Sequence, residues 1–179
     1  MIEVHGYAIV SRDDRIADAQ GRTPKALRNK ADWRYFQDGL NAADLVVLGR
    51  LGHEVHGNPT GRPRMVVSSR ASGLERRPDA WWWNPGAMPW AEAAARVLPH
   101  GGRVSVPGGQ GVFDLFLALG YDVFHLSRAE NVMLPDGVPV FSACTGSITA
   151  EAVLAGAGLR PGPRHLLDPE GPVSLVVWR

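Results

Sequence analysis

Strand-like and helix-like segments alternate along the 179-residue chain, the signature of an α/β protein with a mostly parallel, twisted central sheet flanked by helices and a C-terminal antiparallel hairpin. Two short runs carry the parallel sheet. Asp44 to Leu48 (DLVVL) and Arg64 to Ser68 (RMVVS) are apolar on both faces, as strands covered by helices above and below must be. The hairpin rests on Pro172 to Trp178, rich in β-formers, with residues near His165 to Leu167 as its partner strand. With 45% hydrophobic and 21% charged residues, no linker-like break and no internal repeat, the sequence reads as one domain over residues 1–179.

Ile2 to Val10 is expected to form the first strand, ending at the polar cluster Ser11-Arg12-Asp13-Asp14. Arg15 to Arg28, with Gly21 and Pro24, reads as a loop. Asn29 stands as an N-cap with Asp32 three residues on, and Trp33, Phe36 and Leu40 recur at helical spacing. An amphipathic helix therefore spans Lys30 to about Leu40, with Asp32 in its first turn. A short helix or loop holding Gly52, Gly57, Pro59 and Gly61 joins DLVVL to RMVVS. After a polar stretch, Trp81-Trp82-Trp83 reads as a strand turning at Asn84-Pro85-Gly86, where alternation would bury either Trp82 or its two neighbours. Trp90 to Leu98 is alanine-rich and helical, stopped by His100-Gly101-Gly102. Arg103 to Val106 is a strand leading into Pro107-Gly108-Gly109-Gln110-Gly111, Val112 to Leu119 a helix, and Asp122 to Leu126 a further strand.

Nineteen basic and 18 acidic residues give a net charge of +1, which argues against a broad nucleic-acid or membrane footprint and favours a small-molecule partner. No run reaches the length of a membrane span, and the lone Cys144 rules out an internal disulfide framework, so a cytoplasmic setting is the default. The less ordinary number is 21 glycines with 14 prolines. Either they serve many tight turns, or some of them line a ligand.

The glycines of Pro107 to Gly111 fall between a strand and a helix, where exposed backbone N–H groups and a helix N-terminus suit a phosphate, although such a cluster also makes an ordinary turn. Gly49-Arg50 and Ser68-Ser69-Arg70 end two further strands, and ligands of open parallel sheets sit beyond the carboxyl ends of strands. Together these form a candidate polyanion cradle. Asp32 has two readings, a dipole-favourable first-turn carboxylate or, with Phe36 one turn on, a grip for a flat polar heterocycle. His53 and His56 lack a third ligand nearby, and no GxSxG elbow marks a nucleophile.

In order and spacing, AIVSRDDRIA, ADWRYF, VVLGR, GRPRMVVSS and VPGGQGVF resemble the dihydrofolate reductases and the wider superfamily that shares their fold with the pyrimidine reductases of riboflavin synthesis. The resemblance covers roughly Tyr7 to Phe141. It implies a dihydrofolate reductase-like fold and NADPH as cofactor, with dihydrofolate or a related heterocycle as substrate. Asp32 then looks like the active-site carboxylate, Phe36 like the aromatic residue packed on the substrate, and Arg62 like the receiver of the folate tail carboxylate. Ala8, Ile9 and Ile16 match positions bordering the pterin and nicotinamide. Gly49, Arg50, Ser68, Ser69 and Arg70 resemble contacts to the cofactor's phosphates and adenosine side. Pro107, Gly108, Gly109, Gln110, Gly111 and Val112 resemble the loop beside nicotinamide and pyrophosphate. Leu27 departs from a tryptophan of the family pattern, and Leu51-Gly52-His53 from its polar and aromatic residues. Leu126 or Ser127 stands where a threonine supports the carboxylate. The alternatives are a ribosylamino-pyrimidine reductase, an NADPH-binding module without turnover, and an interaction protein built on the tryptophan cluster. Either a monomer or a homodimer is compatible with these readings.

Overall fold

A computed structural model of the chain describes residues 1–179. In chain order the first half contains β1 (Ile2–Ser11), β2 (Arg15–Ala17), α1 (Lys30–Asn41), β3 (Leu45–Gly49), α2 (Arg50–Val55), β4 (Arg64–Val67), β5 (Leu74–Arg76) and β6 (Trp81–Trp83). The second half contains α3 (Trp90–Val97), β7 (Gly102–Gly108), α4 (Gln110–Leu119), β8 (Val123–Ala129), β9 (Val138–Pro139), α5 (Ala150–Gly156), β10 (Pro161–Asp168) and β11 (Val173–Trp178). Nine strands form one sheet in the order β10-β11-β8-β1-β7-β3-β4-β6-β5, and β2 pairs with β9 apart from it. Every neighbouring pair from β8 to β6 is parallel, whereas β11 and β10 at one edge and β5 at the other run antiparallel.

The expected architecture is therefore present, with elements added where the sequence pattern was silent. The stretch read as a loop from Arg15 contains β2 and a 3-10 turn at Lys25–Leu27. Strand β5 lies in the polar stretch before the tryptophans, held by pairing to β6. Helix α5 starts at Thr149, whose hydroxyl accepts the Ala152 N–H. Helix α4 starts at Gln110, two residues before the expected Val112. In β6 the alternation rule fails, because both sheet faces are covered: Trp82 and Trp83 are both buried, and only Trp81 stays half-open.

The two faces of the sheet differ in chemistry. On one, Val47 of β3, Val104 of β7 and Phe124 of β8 join Phe113 and Phe116 of α4 and Leu154 of α5 in the main apolar core. On the other, α1 covers a face whose centre is polar, with His5 and Tyr7 of β1, Ser105 of β7 and His125 and Ser127 of β8 all buried. The apolar cluster under α1 is small, Leu40 with Phe36 and Ala43 against Val46 and Leu48. Trp33, expected on the same apolar stripe, is instead 61% exposed.

Helix α1 can approach this face closely because Gly39 has no side chain. A β-carbon there would lie 2.5 Å from the Tyr7 ring, and the Gly39 carbonyl accepts a hydrogen bond from the Ser105 hydroxyl at 3.2 Å. Alanine would raise intrinsic helicity by about 1 kcal/mol, yet the overlap with a buried ring costs more, about 1–3 kcal/mol. We expect Gly39→Ala to lower the melting temperature by several degrees, readable by thermal unfolding, rather than raise it as helix propensity alone requires.

Candidate active site

The order β7-β3-β4 sets the candidate cradle residues side by side. Leu48 pairs with Gly108 and Gly49 with Val67, so the chain leaves the sheet at Gly108-Gly109, Gly49-Arg50 and Ser68-Arg70 along one edge. Gly109 caps α4 and Gly49 caps α2. Gly108, joined to Gly109 by a cis peptide bond, has φ +111° and presses on Phe113, whose ring lies 2.9 Å from where a β-carbon would stand. The backbone at Gly109 and Gly111 faces open space instead, and the Gly109 carbonyl accepts the amides of Val112 and Phe113, which leaves those of Gln110 and Gly111 without a helical acceptor. Val112 closes the gap between the two strand ends, one methyl lying 3.5 Å from the Gly49 β-carbon position. Pro107 is half-buried in β7 just before this turn.

The polar side chains of the cradle are not equally free. Arg50 donates to Glu54 at 2.7 Å, one helical turn away. The Gln110 amide turns out of the cradle to the Pro139 carbonyl at 3.0 Å. Ser68 is buried, its hydroxyl oxygen accepting the Arg70 N–H at 3.2 Å. Ser69 is exposed, and the exposed Arg70 guanidinium forms no ion pair. The uncommitted cationic group is thus Arg70.

Asn29 fixes the start of α1, its side-chain oxygen accepting the N–H groups of Ala31 and Asp32. This turns Asp32 inward to 9% exposure, where burial raises its pKa above the ordinary carboxylate value and a hydrogen bond from Ser127 partly opposes the rise. Of the two expected positions, Leu126 and Ser127, it is Ser127 whose hydroxyl lies beside the Asp32 carboxylate. Its strand position is opposite Ile9, while Leu126 is opposite Ala8. Ile9 packs with the fully buried Leu27, and Ala8 and Ile16 lie against the main core. Phe36 meets Tyr7 edge-on at 6.4 Å and Trp33 at 5.7 Å between ring centres.

Arg62 lies at the other end of α1. Its guanidinium donates to Gln37 Oε1 at 2.7 Å and to Asn41 Oδ1 at 2.9 and 2.7 Å. These partners are neutral, so they orient the charge without cancelling it.

Two arrangements escaped sequence reasoning. Arg128 of β8, mostly buried, reaches Asp14 at 2.7 Å, Glu151 of α5 at 2.5 Å and the Ser11 carbonyl at 2.9 Å. Asp14, at φ +65°, also accepts the Ala150 N–H, which straps the turn after β1 to α5. An arginine inside the buried strand FHLSRA was the available signal. The second is a polar chain under α1: Tyr35 O–H to His125 Nδ1 at 2.6 Å, His125 Nε2 to His5 Nδ1 at 3.1 Å, and His5 Nε2 3.3 Å from Glu3. No group of three or more His, Cys, Asp or Glu residues is placed to hold a metal, and His53 instead bonds Asp79 at 2.7 Å.

No protein-family model matches the chain, and no curated protein matches it in sequence. Solved structures do. A dihydrofolate reductase from Enterococcus faecalis complexed with NADP(H) and RAB-propyl superposes with a TM-score of 0.67 at 14% identity, over 99% of this chain and 95% of that one. A putative riboflavin biosynthesis protein from Shewanella sp. PV-4 gives 0.68 at 14%, over 99% and 98%. A Thermotoga maritima diaminohydroxyphosphoribosylaminopyrimidine deaminase/5-amino-6-(5-phosphoribosylamino)uracil reductase gives 0.68 at 17%, over 99% of this chain and 56% of that one. The chain has the fold these proteins share.

Burial, with the nearby charges of His5, Arg179 and Arg103, pushes the His125 pKa down to about 3. The unfolded chain takes up a proton near pH 6.5 that the folded protein refuses until about pH 3. Stability from this group is complete above the unfolded value and is lost as pH falls through that window, at about 1.4 kcal/mol per pH unit. Lowering pH from 7.5 to 5 should thus cost roughly 2 kcal/mol, or about 4–8 °C in melting temperature. Paired melts at the two pH values should show a smaller drop for His125→Asn than for the unaltered chain.

Proposed function

We propose that this chain is an NADPH-dependent reductase of a flat nitrogen heterocycle, with 7,8-dihydrofolate or a related pterin as the best-fitting substrate. The observation that carries the reading is the sequence of groups along α1. A buried carboxylate at Asp32, the aromatic pair Trp33 and Phe36, and the uncancelled cation of Arg62 held at Gln37 and Asn41 follow one another. From Asp32 to Asn41 the helix rises about 13 Å. Such a row suits a molecule with a hydrogen-bonding ring edge, an aromatic middle and an anionic end.

The cradle fits a dinucleotide phosphate. Gly109 and Gly111 leave backbone open to close approach at the start of α4, and Arg70 with Ser69 offers a free cation and a hydroxyl at the neighbouring strand end. When bound, NADPH supplies the hydride. The protein's own part is to align two flat rings across the strand ends and to keep water away. Asp32 holds the amino-pyrimidine edge. In its buried setting it favours the protonated substrate ring, whether or not it hands over the proton itself.

The second reading, a ribosylamino-pyrimidine reductase, draws on the same fold and on the neutral partners of Arg62, which leave its charge open to a substrate phosphate as readily as to a carboxylate. The two readings part in one assay: oxidation of NADPH on adding dihydrofolate against oxidation on adding the ribosylamino-pyrimidine. Tight NADPH binding with neither substrate consumed makes the chain a binding module.

Asp32→Asn should cut substrate-dependent NADPH oxidation at least a hundredfold while NADPH affinity, measured by fluorescence titration, stays within about twofold. Unchanged turnover would remove Asp32 from the reaction. Arg70→Ala should erase most of the preference for NADPH over NADH, roughly tenfold or more. An intact ratio in Arg70→Ala would move the 2′-phosphate contact elsewhere.

A further inference from the structure

Between α1 and the sheet lie polar contacts spaced along the helix: Asp32 with Ser127, Tyr35 with His125, and the Gly39 carbonyl with Ser105. The middle contact differs from the others, because it continues along the same face of the sheet from β8 to β1 and toward the surface. We infer that Tyr35 and His125 are positioning residues for Asp32, holding α1 in one register on β8 through a hydrogen-bond chain that runs one way from the Tyr35 hydroxyl through His125 to His5, whose outer ring nitrogen stands 3.3 Å from Glu3.

The direction follows from counting protons. Tyr35 keeps its hydroxyl proton, since burial and the neighbouring Tyr7 push its pKa to about 12. His125 Nδ1 is the one hydrogen-bond partner of that hydroxyl, and the proton is assigned to it. A neutral His125 then carries its one N–H on Nε2 and donates it to His5 Nδ1. His5 in turn carries its N–H on Nε2, beside the half-exposed Glu3 carboxylate. Each tautomer is set by the one before it, so no member can turn without unpairing a buried neighbour.

The surroundings keep the chain uncharged. Arg103 from β7 and Arg179 after β11 oppose protonation of His125, and burial does the same for both rings, against Glu3 and Asp122, which favour a charged His5. Tyr7 stacks flat on His125 at 4.2 Å and also abuts Gly39. The same ring thus buttresses the chain and sets the height of the helix. Apolar packing is non-directional and tolerates sliding, whereas this contact does not. Asp32 sits one turn before Tyr35, and Ser127 sits two residues after His125 on the same face of β8, so fixing the second pair fixes the first.

The inference rests on the proposed role of Asp32, and its test reads the carboxylate directly as well as through turnover. Tyr35→Phe removes one oxygen and cuts the chain. We expect carboxyl NMR titration of Asp32 in that variant to move downward, toward the ordinary carboxylate value, as the helix loosens. Substrate-dependent NADPH oxidation should fall about tenfold or more, its pH profile should shift with Asp32, and in an Asp32→Asn background Tyr35→Phe should add almost nothing. His5→Asn, which keeps an acceptor near the Nδ1 position, should leave the Asp32 titration as it was. His125→Asn cuts the chain independently should Tyr35→Phe fail to fold. An Asp32 titration and pH profile unchanged in a folded Tyr35→Phe or His125→Asn protein would overturn the positioning role, even if the melting temperature fell. Imidazole NMR showing His125 titrating near its ordinary value would overturn the chain itself. Absence of turnover in the unaltered protein with both heterocycles, alongside the expected Asp32 shift, would sink the proposed function and leave the positioning intact.

Discussion

At Gly39 the backbone of α1 lies against the Tyr7 ring, and this approach decides how near the rest of the helix comes to the sheet. At that height Tyr35 hydrogen-bonds His125, and Asp32 lies beside Ser127. The arrangement is costly by ordinary packing rules. A helix normally covers a sheet with an apolar stripe, whereas the sheet centre beneath α1 is lined by histidine, serine and tyrosine. Such polar burial is tolerable where hydrogen bonds are made, from Tyr35 to His125, between His125 and His5, and from Ser105 to the Gly39 carbonyl, and what they gain over an apolar seam is direction.

The opposite face follows the common rule, and the contrast organises the molecule. Phenylalanines of α4 and β8 and valines of the central strands fill the main core, which supplies stability without fixing any reacting group. The candidate cradle lies at the strand ends, and the candidate carboxylate and aromatic groups lie on α1. The C-terminal third reaches into that region through Arg128, which clasps Asp14 and Glu151, and through the pairing of β9 with β2. Residues that matched no motif therefore shape the turn that follows β1.

What could be read in the sequence was local. DLVVL is apolar on both faces because both are covered, Asn29 announces α1, and Gly108 to Gly111 mark a strand-to-helix turn at which the backbone is bare. Even the pairing of Arg50 with Glu54 was available from the i,i+4 spacing. Strand β5 was not, since three residues owe their extension to β6. The Tyr35–His125–His5 chain joins residues 90 and 120 positions apart, and Arg128 meets Glu151 across 23. No periodicity in one segment reports a partner in another. Trp33 shows the converse, a residue whose helical spacing signals core while its surroundings leave it in solvent.

Strand β1 lies at the centre of the sheet, and its neighbours are β7 and β8, so that Ile2 waits for Gly102 and His5 for Val123. The first of these strands in chain order thus pairs only with strands that follow it by about a hundred residues. Closing loops of such length before any contact rewards them slows folding, and an unpaired apolar strand invites the wrong neighbour meanwhile. Ala8 and Ile9, the residues expected to border a ligand, are carried on that strand. The candidate site is therefore tied to completion of the whole sheet, and not to the local helix and glycine turn alone.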